Sequence, residues 1–253
     1  MIGLLGDEAW ARKYAGARGL PPLPFVRALF DHYAVALYAL VALGAFAAFL
    51  AAGRSPGLLV GAALISAGSY SFVEYGLHRF ILHARVLCRS PLTAPIWRRL
   101  HYDHHMEPAD LSVLFADPKT SVPLLVVLAW GAAAPIDRPG MFTAMIATNF
   151  CAFLYYEFMH SVSHLPNDFG GAWMRRKKRN HMLHHHLDEA SNYGIGSNLL
   201  DDLLGSAGET VTTRSPTVRD LGYDDAAAAR WPWVREGYAK KVAAGGVVIA
   251  GRT

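Results

Sequence analysis

Four long apolar runs dominate the hydrophobic pattern of the chain: residues 33–52, 57–73, 120–136 and 141–159. The first three contain no charged side chain, and the fourth contains only Glu157. Twenty residues of helix at ~1.5 Å each cross the ~30 Å hydrocarbon core of a bilayer. The short turns GRSP and DRPG join the runs in pairs. The pattern therefore predicts an all-α integral membrane protein with four transmembrane helices in two hairpins.

Basic residues favour the cytoplasmic side of a membrane protein. Each tight turn carries one arginine, Arg54 or Arg138, whereas the segments outside the hairpins hold most of the others. We therefore expect those segments to form a cytoplasmic helical cap, in the inner membrane of a bacterium. The predicted units are a cytoplasmic N-terminal segment (1–32), a membrane-embedded domain (33–208) and a soluble C-terminal tail (209–253). The PPLPF stretch at residues 21–25 predicts an extended lead-in to the first span.

The composition agrees with burial in a membrane. Of 253 residues, 53% are hydrophobic and 17% charged, which is too apolar for an ordinary soluble domain. Buried helices of a large soluble core are the alternative, and the paired runs disfavour it. The basic run RRKKR (175–179) indicates a membrane-side anchor, or a docking patch for an acidic electron carrier or a lipid phosphate. Beside four spans, it does not indicate nucleic-acid binding.

Eleven of the twelve histidines fall into four clusters. Only His32 stands alone, as expected of a residue at a membrane interface. The clusters are HRFILH (His78, His83), HYDHH (His101, His104, His105), HSVSH (His160, His164) and HMLHHH (His181, His184, His185, His186).

Residues three or four apart share one face of a helix. This spacing brings His101, His104 and His105 together, His160 with His164, and His181 with His184 and His185. His78 and His83 are five apart, so they converge only if the helix ends or distorts between them, or if they flank a metal. His186 rotates away from its neighbours and is the expected spare. The other ten imidazoles are too many for one ion, so they predict two metal ions, and imidazole suits Zn, Cu, Fe and Ni.

The order HxxxxH, HxxHH, HxxxH, HxxHH resembles the fatty acid hydroxylase/sterol desaturase superfamily. The flanking sequences EYGLHRFILH, HYDHHMEPADLSVLFADP and NHMLHHHLDEASNYGIGSNLLDDLLGS are most similar to its fatty acid 2-hydroxylase branch. The similarity runs from about Ser69 to Ser206, which is most of the chain. The acyl-CoA desaturases fit less well, because this chain has the additional HSVSH box.

The resemblance implies that all ten histidines bind a dimetal centre, with five for each ion. One ion would take His78, His83, His101, His105 and His184, and the other His104, His160, His164, His181 and His185. Iron is the metal expected for activity. Zinc can occupy such a site, but it has no redox chemistry. Glu74, Asp103 and Glu157 lie near these histidines and are candidates for orienting them, as are Asn180, Asn192 and Tyr193.

A dimetal centre of this kind would activate O2 and oxidise an unactivated C–H bond, which no acid or base side chain can break. The sequence has no GxGxxG, CxxCH or HPGG motif. Electrons are therefore expected from a separate protein, such as a cytochrome b5-like protein, a ferredoxin or a reductase. The expected activity is hydroxylation of a fatty acyl chain of a membrane lipid. The alternatives are a sterol, carotenoid or lipid-headgroup hydroxylase, a desaturase, and a non-catalytic metal-binding or transport protein.

Overall fold

The computed structural model describes residues 3–167, 169–210 and 212–245, and over these ranges the chain folds into helices without a β-strand. The α-helices described are α1 (Asp7–Tyr14), α2 (Pro22–Phe30), α3 (Tyr33–Ala51), α4 (Pro56–Leu77), α5 (Ala94–Trp97), α6 (Asp103–Met106), α7 (Pro118–Ala133), α8 (Met141–His164), α9 (Ala172–His186), α10 (Leu199–Leu204), α11 (Asp225–Arg230) and α12 (Trp233–Ala243). Two π-helical turns (His78–Leu82, Arg98–Tyr102) and three 3-10 turns (Leu87–Arg89, Leu111–Val113, Ala134–Ile136) lie between them.

Three described helical segments are long and apolar enough to cross a membrane: Tyr33–Ala51, Pro56–Arg89 and Leu111–Ile136. Large apolar side chains point outward from them, with Leu64 70% exposed and Trp130 65% exposed. Such surfaces are stable in lipid and unstable in water. The chain is therefore an all-helical membrane protein.

The fourth predicted run forms α8, a helix of 24 residues that is not among those three segments. It carries the polar side chains Thr148, Asn149 and Glu157 in its apolar sequence. Helix α8 lies at the centre of the bundle, since α3, α4 and α7 each pack against it. Its Phe150 is fully buried against Tyr38 of α3 and Leu125 of α7.

Helices α4 and α7 both pack on α8, whereas any contact between the two of them is marginal. At the end of the bundle nearest the 52–55 and 137–140 turns, Phe49, Ala62, Met141 and Met145 form a closed apolar cluster. The bundle is therefore sealed at that end and leaves room between α4 and α7 toward the other.

Local sequence signals set several helix ends. Asp117 accepts a hydrogen bond from the backbone N–H of Lys119 and is followed by Pro118, a favourable start for α7. The turn from α7 to α8 needs left-handed backbone at Asp137 and Gly140, where φ is 44° and 93°. These signals place the second hairpin where the sequence predicted it.

The extended lead-in predicted at residues 21–25 is wrong. Helix α2 begins at Pro22. Proline is tolerated in the first turn of a helix, because the backbone N–H groups there have no intrahelical partner. Phe25 of α2 is buried among Trp10, Leu111 and Leu165, so this segment forms part of the core.

The region after residue 208 packs onto the helices that follow α4. Tyr223, Ala227 and Val234 bury their side chains against Trp97 and Tyr102. The boundary at residues 208 and 209 stays a prediction, and residues 246–253 of the predicted tail lie outside the described ranges.

Candidate metal centre

The structure brings the ten predicted histidines together in two groups of five, with the candidate ligand nitrogens of each group within 4.8 Å of one another. The first group is His78, His83, His101, His105 and His184. The second group is His104, His160, His164, His181 and His185. These are the same two sets that the family resemblance implies.

The remaining two histidines lie outside both groups. His186 is exposed at the last residue of α9. His32 is 1% exposed, accepts the backbone N–H of Ala34 at the start of α3, and lies 3.0 Å from Asp7. The predicted interface residue is therefore a buried capping residue.

A distorted helix joins His78 to His83, which is one of the alternatives that their spacing left open. The backbone N–H of His83 binds the carbonyl oxygen of His78 at 3.1 Å, which is the i→i+5 bond of a π-helical turn. The turn brings the two ring centroids to 4.9 Å. One extra residue in the turn thus places both rings on the same side.

Helical i, i+4 pairs supply three ligand pairs: His101 with His105, His160 with His164, and His181 with His185. His104 belongs to the second group, although His101 and His105 belong to the first. His184 belongs to the first group, although His181 and His185 belong to the second. Spacing put His101, His104 and His105 on one helix face, and the structure places His104 in the second group, as the family resemblance implies. Adjacent residues of one helix serve two adjacent groups, and the rings of His105 and His185 lie only 4.3 Å apart.

Backbone carbonyl oxygens orient four of the rings. A carbonyl can only accept a hydrogen bond, so each of these Nδ1 atoms carries the proton and leaves Nε2 free to bind a metal. The pairs are His78 with Tyr193 (2.5 Å), His184 with Ser191 (2.6 Å), His105 with Val218 (3.0 Å) and His164 with Pro108 (3.0 Å).

The free nitrogens then converge on one another. The Nε2 atoms of His105 and His184 are buried without a hydrogen-bond partner in the described chain. The Nε2 atom of His164 lies 3.1 Å from that of His104 and 2.9 Å from that of His181. The Nε2 atom of His104 also lies 3.0 Å from that of His160, and one N–H on His104 cannot serve both His160 and His164, so unshared electron pairs face each other. A cation between them removes that repulsion, and the residues present therefore fit metal ions.

The electrostatics keep these rings in the form that binds metals. Burial lowers the pKa of His105 to about 3. Burial and then the neighbouring imidazoles hold the pKa of His104, His181 and His185 well below the usual value. The rings are therefore neutral at neutral pH, as metal binding requires.

The three carboxylates that the sequence offered as histidine partners have other partners. Glu74 accepts the backbone N–H groups of Ile195 (2.8 Å) and Gly196 (2.7 Å). Asp103 pairs with Arg98 at 2.8 Å. Glu157 accepts the backbone N–H of Ala116 at 3.0 Å. Their contribution to the centre is thus indirect.

The loop of residues 191–196 connects Glu74 to the histidines, because Glu74 binds the loop backbone and the loop carbonyls bind two of the rings. Its carbonyls at Ser191 and Tyr193 hold His184 and His78, as described above. Asp201 accepts the backbone N–H groups of Tyr193 (2.9 Å) and Gly194 (2.8 Å), while Glu74 holds the next two N–H groups. Sequence reasoning missed Asp201 and the carbonyls, since a backbone acceptor leaves no signal in the sequence.

The basic run RRKKR divides between the surface and the interior. Arg176 and Arg179 are exposed and pair with Glu209. Lys177 is 3% exposed, with its Nζ atom 3.4 Å from the carbonyl oxygen of Gly194. Burial lowers the pKa of Lys177 to about 8, and the nearby carboxylates of Glu74 and Asp201 oppose that effect.

An apolar cavity of about 580 Å³ adjoins both groups of histidines. Helices α4, α7 and α8 form its walls, and His101, His104, His160, His181 and His185 border one end. Its volume is typical of a site for a small molecule or a lipid chain.

Three comparisons place the chain among known proteins. The fatty acid hydroxylase family model matches residues 63–206. The dihydroceramide fatty acyl 2-hydroxylase FAH1 of Arabidopsis thaliana is 28% identical over 148 residues, which are 58% of this chain and 59% of that protein. The fatty acid 2-hydroxylase of Mus musculus is 27% identical over 137 residues, 52% of this chain and 35% of that protein.

The chain therefore matches between about a third and three fifths of the length of these relatives. The structure of full-length Scs7p, in which only the hydroxylase domain is visible, superposes with a TM-score of 0.57 at 20% identity. That superposition covers 85% of this chain and 71% of Scs7p, and shows a shared fold. Because the family model spans more than half of its residues, the chain belongs to the fatty acid hydroxylase family.

Proposed function

We propose that the chain is an O2-dependent dimetal hydroxylase that oxidises a fatty acyl chain of a membrane lipid. The observation that carries the proposal is the position of the two histidine groups at one end of an apolar cavity inside a membrane bundle. The relatives described above include hydroxylases of fatty acids and of dihydroceramide fatty acyl chains, which supports the same substrate class.

The ten histidines are the proposed ligands, in the two sets of five defined by the structure. Iron is the proposed native metal, because it supplies the O2-activating redox chemistry that breaking a C–H bond needs. Zinc binds the same nitrogen donors and would give an inactive protein.

The side chains around the cavity define what the protein itself contributes. Leu114, Phe115, Val73 and Leu77 keep water from the end next to the histidines. An acyl chain between α4 and α7 would place a carbon close to the headgroup beside the imidazoles, because the histidines lie near the ends of the spans. The C2 position is the one that this arrangement favours.

Four spans and a cytoplasmic cap complete the proposal. Helix α8 is as long as its neighbours and is surrounded by them, so it crosses the membrane with them despite its polar residues. The basic segments then lie together on the cytoplasmic side of a bacterial inner membrane. The exposed Arg175, Arg176 and Arg179 would face a separate acidic electron carrier there.

The test is lipid mass spectrometry on aerated cells with and without the gene. We expect one lipid class to gain a single oxygen atom, with fragmentation placing it on the acyl chain. The His164→Ala variant should abolish that product, and His186→Ala should retain it. A product lacking two hydrogens would indicate a desaturase, and an oxygen on a headgroup, sterol or carotenoid would reassign the substrate. If metal uptake by the cells depended on the gene while their lipids were unchanged, the result would favour a transport or storage protein.

A further inference from the structure

The cavity is lined along α4, α7 and α8 from the histidines to Gly131, Ala132 and Met145, and a buried apolar cluster lies beyond Met145. We propose, resting on the function above, that it is a blind groove for the methyl end of the substrate chain. Gly131, Ala132 and Met145 set the longest chain that fits, about 14 to 18 carbons from the rise of the helices and the length of a carbon–carbon bond.

The length of the groove follows from the helices that line it. On α7 the lining runs from Thr120 to Ala132, twelve residues or about 18 Å of helix. On α8 it runs from His160 to Met145, fifteen residues or about 23 Å. An extended alkyl chain with ~1.5 Å bonds advances about 1.3 Å per carbon. These depths correspond to the 14 to 18 carbons stated above.

The far end of the groove is a packed floor. Met145 borders the cavity and is 1% exposed, and the buried Phe49, Ala133 and Met141 lie behind it without bordering the cavity. A longer chain therefore meets close-packed side chains at the level of Met145. Close packing of this kind resists insertion of further methylene groups.

Most of the side chains in the walls are apolar, so the walls select by length more than by chemistry. The polar Ser66 and Asn149 in the wall satisfy each other, with the Ser66 hydroxyl 2.7 Å from Oδ1 of Asn149. Leu124 and Leu128 of α7 line the stretch above Gly131. Outside the histidines, the buried polar atoms that border the cavity without a hydrogen-bond partner in the described chain, the Tyr70 hydroxyl and Oε2 of Glu74, lie on the part of α4 that leads to His78.

The gap between α4 and α7 explains how the chain enters. The two helices meet only marginally while both pack on α8, so the groove opens sideways toward the lipid. A membrane lipid can slide in laterally with its headgroup at the interface. The same gap is the competing route by which an over-long chain could leave the groove.

The experiment uses Gly131→Leu to shorten the groove and Met145→Ala to lengthen it. A side chain at Gly131 meets nothing within 4 Å at its Cβ, so the helix accepts it and the leucine fills the far end of the groove. Gly44→Leu is the matched control: the same substitution, in the middle of α3, also with open space at Cβ and outside the cavity lining.

Cells carrying each variant receive saturated fatty acids from ten to twenty-six carbons in length, and hydroxylated lipids are resolved by chain length. We expect the wild-type product to fall at least tenfold between eighteen and twenty-four carbons. Gly131→Leu should move the maximum down by about one helical turn, or roughly four carbons. Met145→Ala should move it up, and Gly44→Leu should leave it in place.

A second readout does not depend on turnover. Lipids that co-purify with zinc-loaded protein in mild detergent should show the same length limit and the same shifts. Chains of twenty-four carbons hydroxylated as well as sixteen, or a Gly131→Leu profile identical to wild type in both readouts, would overturn the blind groove and favour exit through the α4–α7 gap. Absence of any hydroxylated lipid, with length-selected lipids still bound, would instead contradict the proposed activity alone.

Discussion

At the residue scale, the nitrogen that faces away from the candidate metal site orients an imidazole ring as much as the nitrogen that faces the site. Four Nδ1 atoms donate to backbone carbonyls, so the tautomer and the ring orientation are fixed before any ion binds. Spacing in the sequence pointed to the ten histidines that lie together in the structure and set His186 apart, and their role as metal ligands stays a prediction. Spacing could not show the carbonyls, because every residue carries one.

Substituting one member of a group should remove its ion and leave the other group intact. For His164→Ala we expect metal content to fall to about one ion per chain, since the Nε2 atoms around His164 lose a donor that no neighbour replaces. His186→Ala is the matched control, with both ions retained. Elemental analysis of protein purified with added iron or zinc measures this. Equal metal content in the two variants would show that His164 is not a ligand.

Glu74 should matter for metal binding without touching the metal. Its Oε1 atom accepts two backbone N–H groups of the loop whose carbonyls hold His78 and His184. Glu74→Ala leaves those N–H groups unpaired, so we expect a loss of about 2 to 4 kcal/mol in the free energy of unfolding.

Glu74→Gln keeps one acceptor oxygen and should lose less. Zinc affinity in the first group should fall by about 10- to 100-fold in the alanine variant, as for other orienting groups. Isothermal titration on metal-stripped protein measures it. An unchanged zinc affinity in Glu74→Ala would show that the loop of residues 191–196 does not contribute to metal binding.

At the element scale, two irregular segments decide the geometry of the site. The π-helical turn at His78–Leu82 was among the alternatives that the sequence left open, since residues five apart do not align on an α-helix. The loop of residues 191–196 was not foreseeable, because its shape depends on Asp201 and Glu74, which are 127 positions apart in the printed sequence. The spacing of residues in the sequence can indicate a local distortion of a helix. Hydrogen bonds between residues far apart in the sequence can be identified only from the folded structure.

Gly194→Ala tests the loop. A Cβ atom there would lie 1.8 Å from the backbone oxygen of Ser197 and 2.9 Å from Asp201 Oδ2, so the loop must move. We expect a destabilisation of about 1 to 3 kcal/mol, as for other overpacked sites, together with reduced metal content. Gly61→Ala in α4 has open space at Cβ and should be neutral or stabilising by up to about 1 kcal/mol. Denaturant unfolding of the two variants compares them, and equal stability would mean that the loop adapts freely.

At the scale of the whole molecule, the apolar runs predicted the helical hairpins. They did not predict how the hairpins and the rest of the chain pack together. Pattern alone did not show that α8 is the central helix, since its polar residues weaken its apolar signal. Nor did it show that the chain after residue 208 closes over the first histidine group, where the carbonyl of Val218 holds His105. Such contacts depend on which surfaces remain after the bundle has formed.

Removing the metal should destabilise the entire fold. Without a cation, buried imidazoles crowd together, with Nε2 atoms 2.8 Å apart for His83 with His101 and 3.1 Å apart for His181 with His185. We expect chelation to lower the thermal unfolding temperature, and added zinc or iron to restore it by mass action. Differential scanning calorimetry in detergent measures the shift. A melting temperature unchanged by chelation, with metal loss confirmed, would show that the two groups need no ion.

The most direct test of the central claim is to follow oxygen from the gas into the lipid. Membranes containing the wild-type protein, loaded with iron and supplied with an electron donor, are incubated under oxygen-18 gas, and the lipids are analysed by mass spectrometry. The account predicts one oxygen-18 atom on the acyl chain, and none with His164→Ala. An unlabelled hydroxyl group, a product that survives in His164→Ala, or no product from the iron-loaded protein would contradict it.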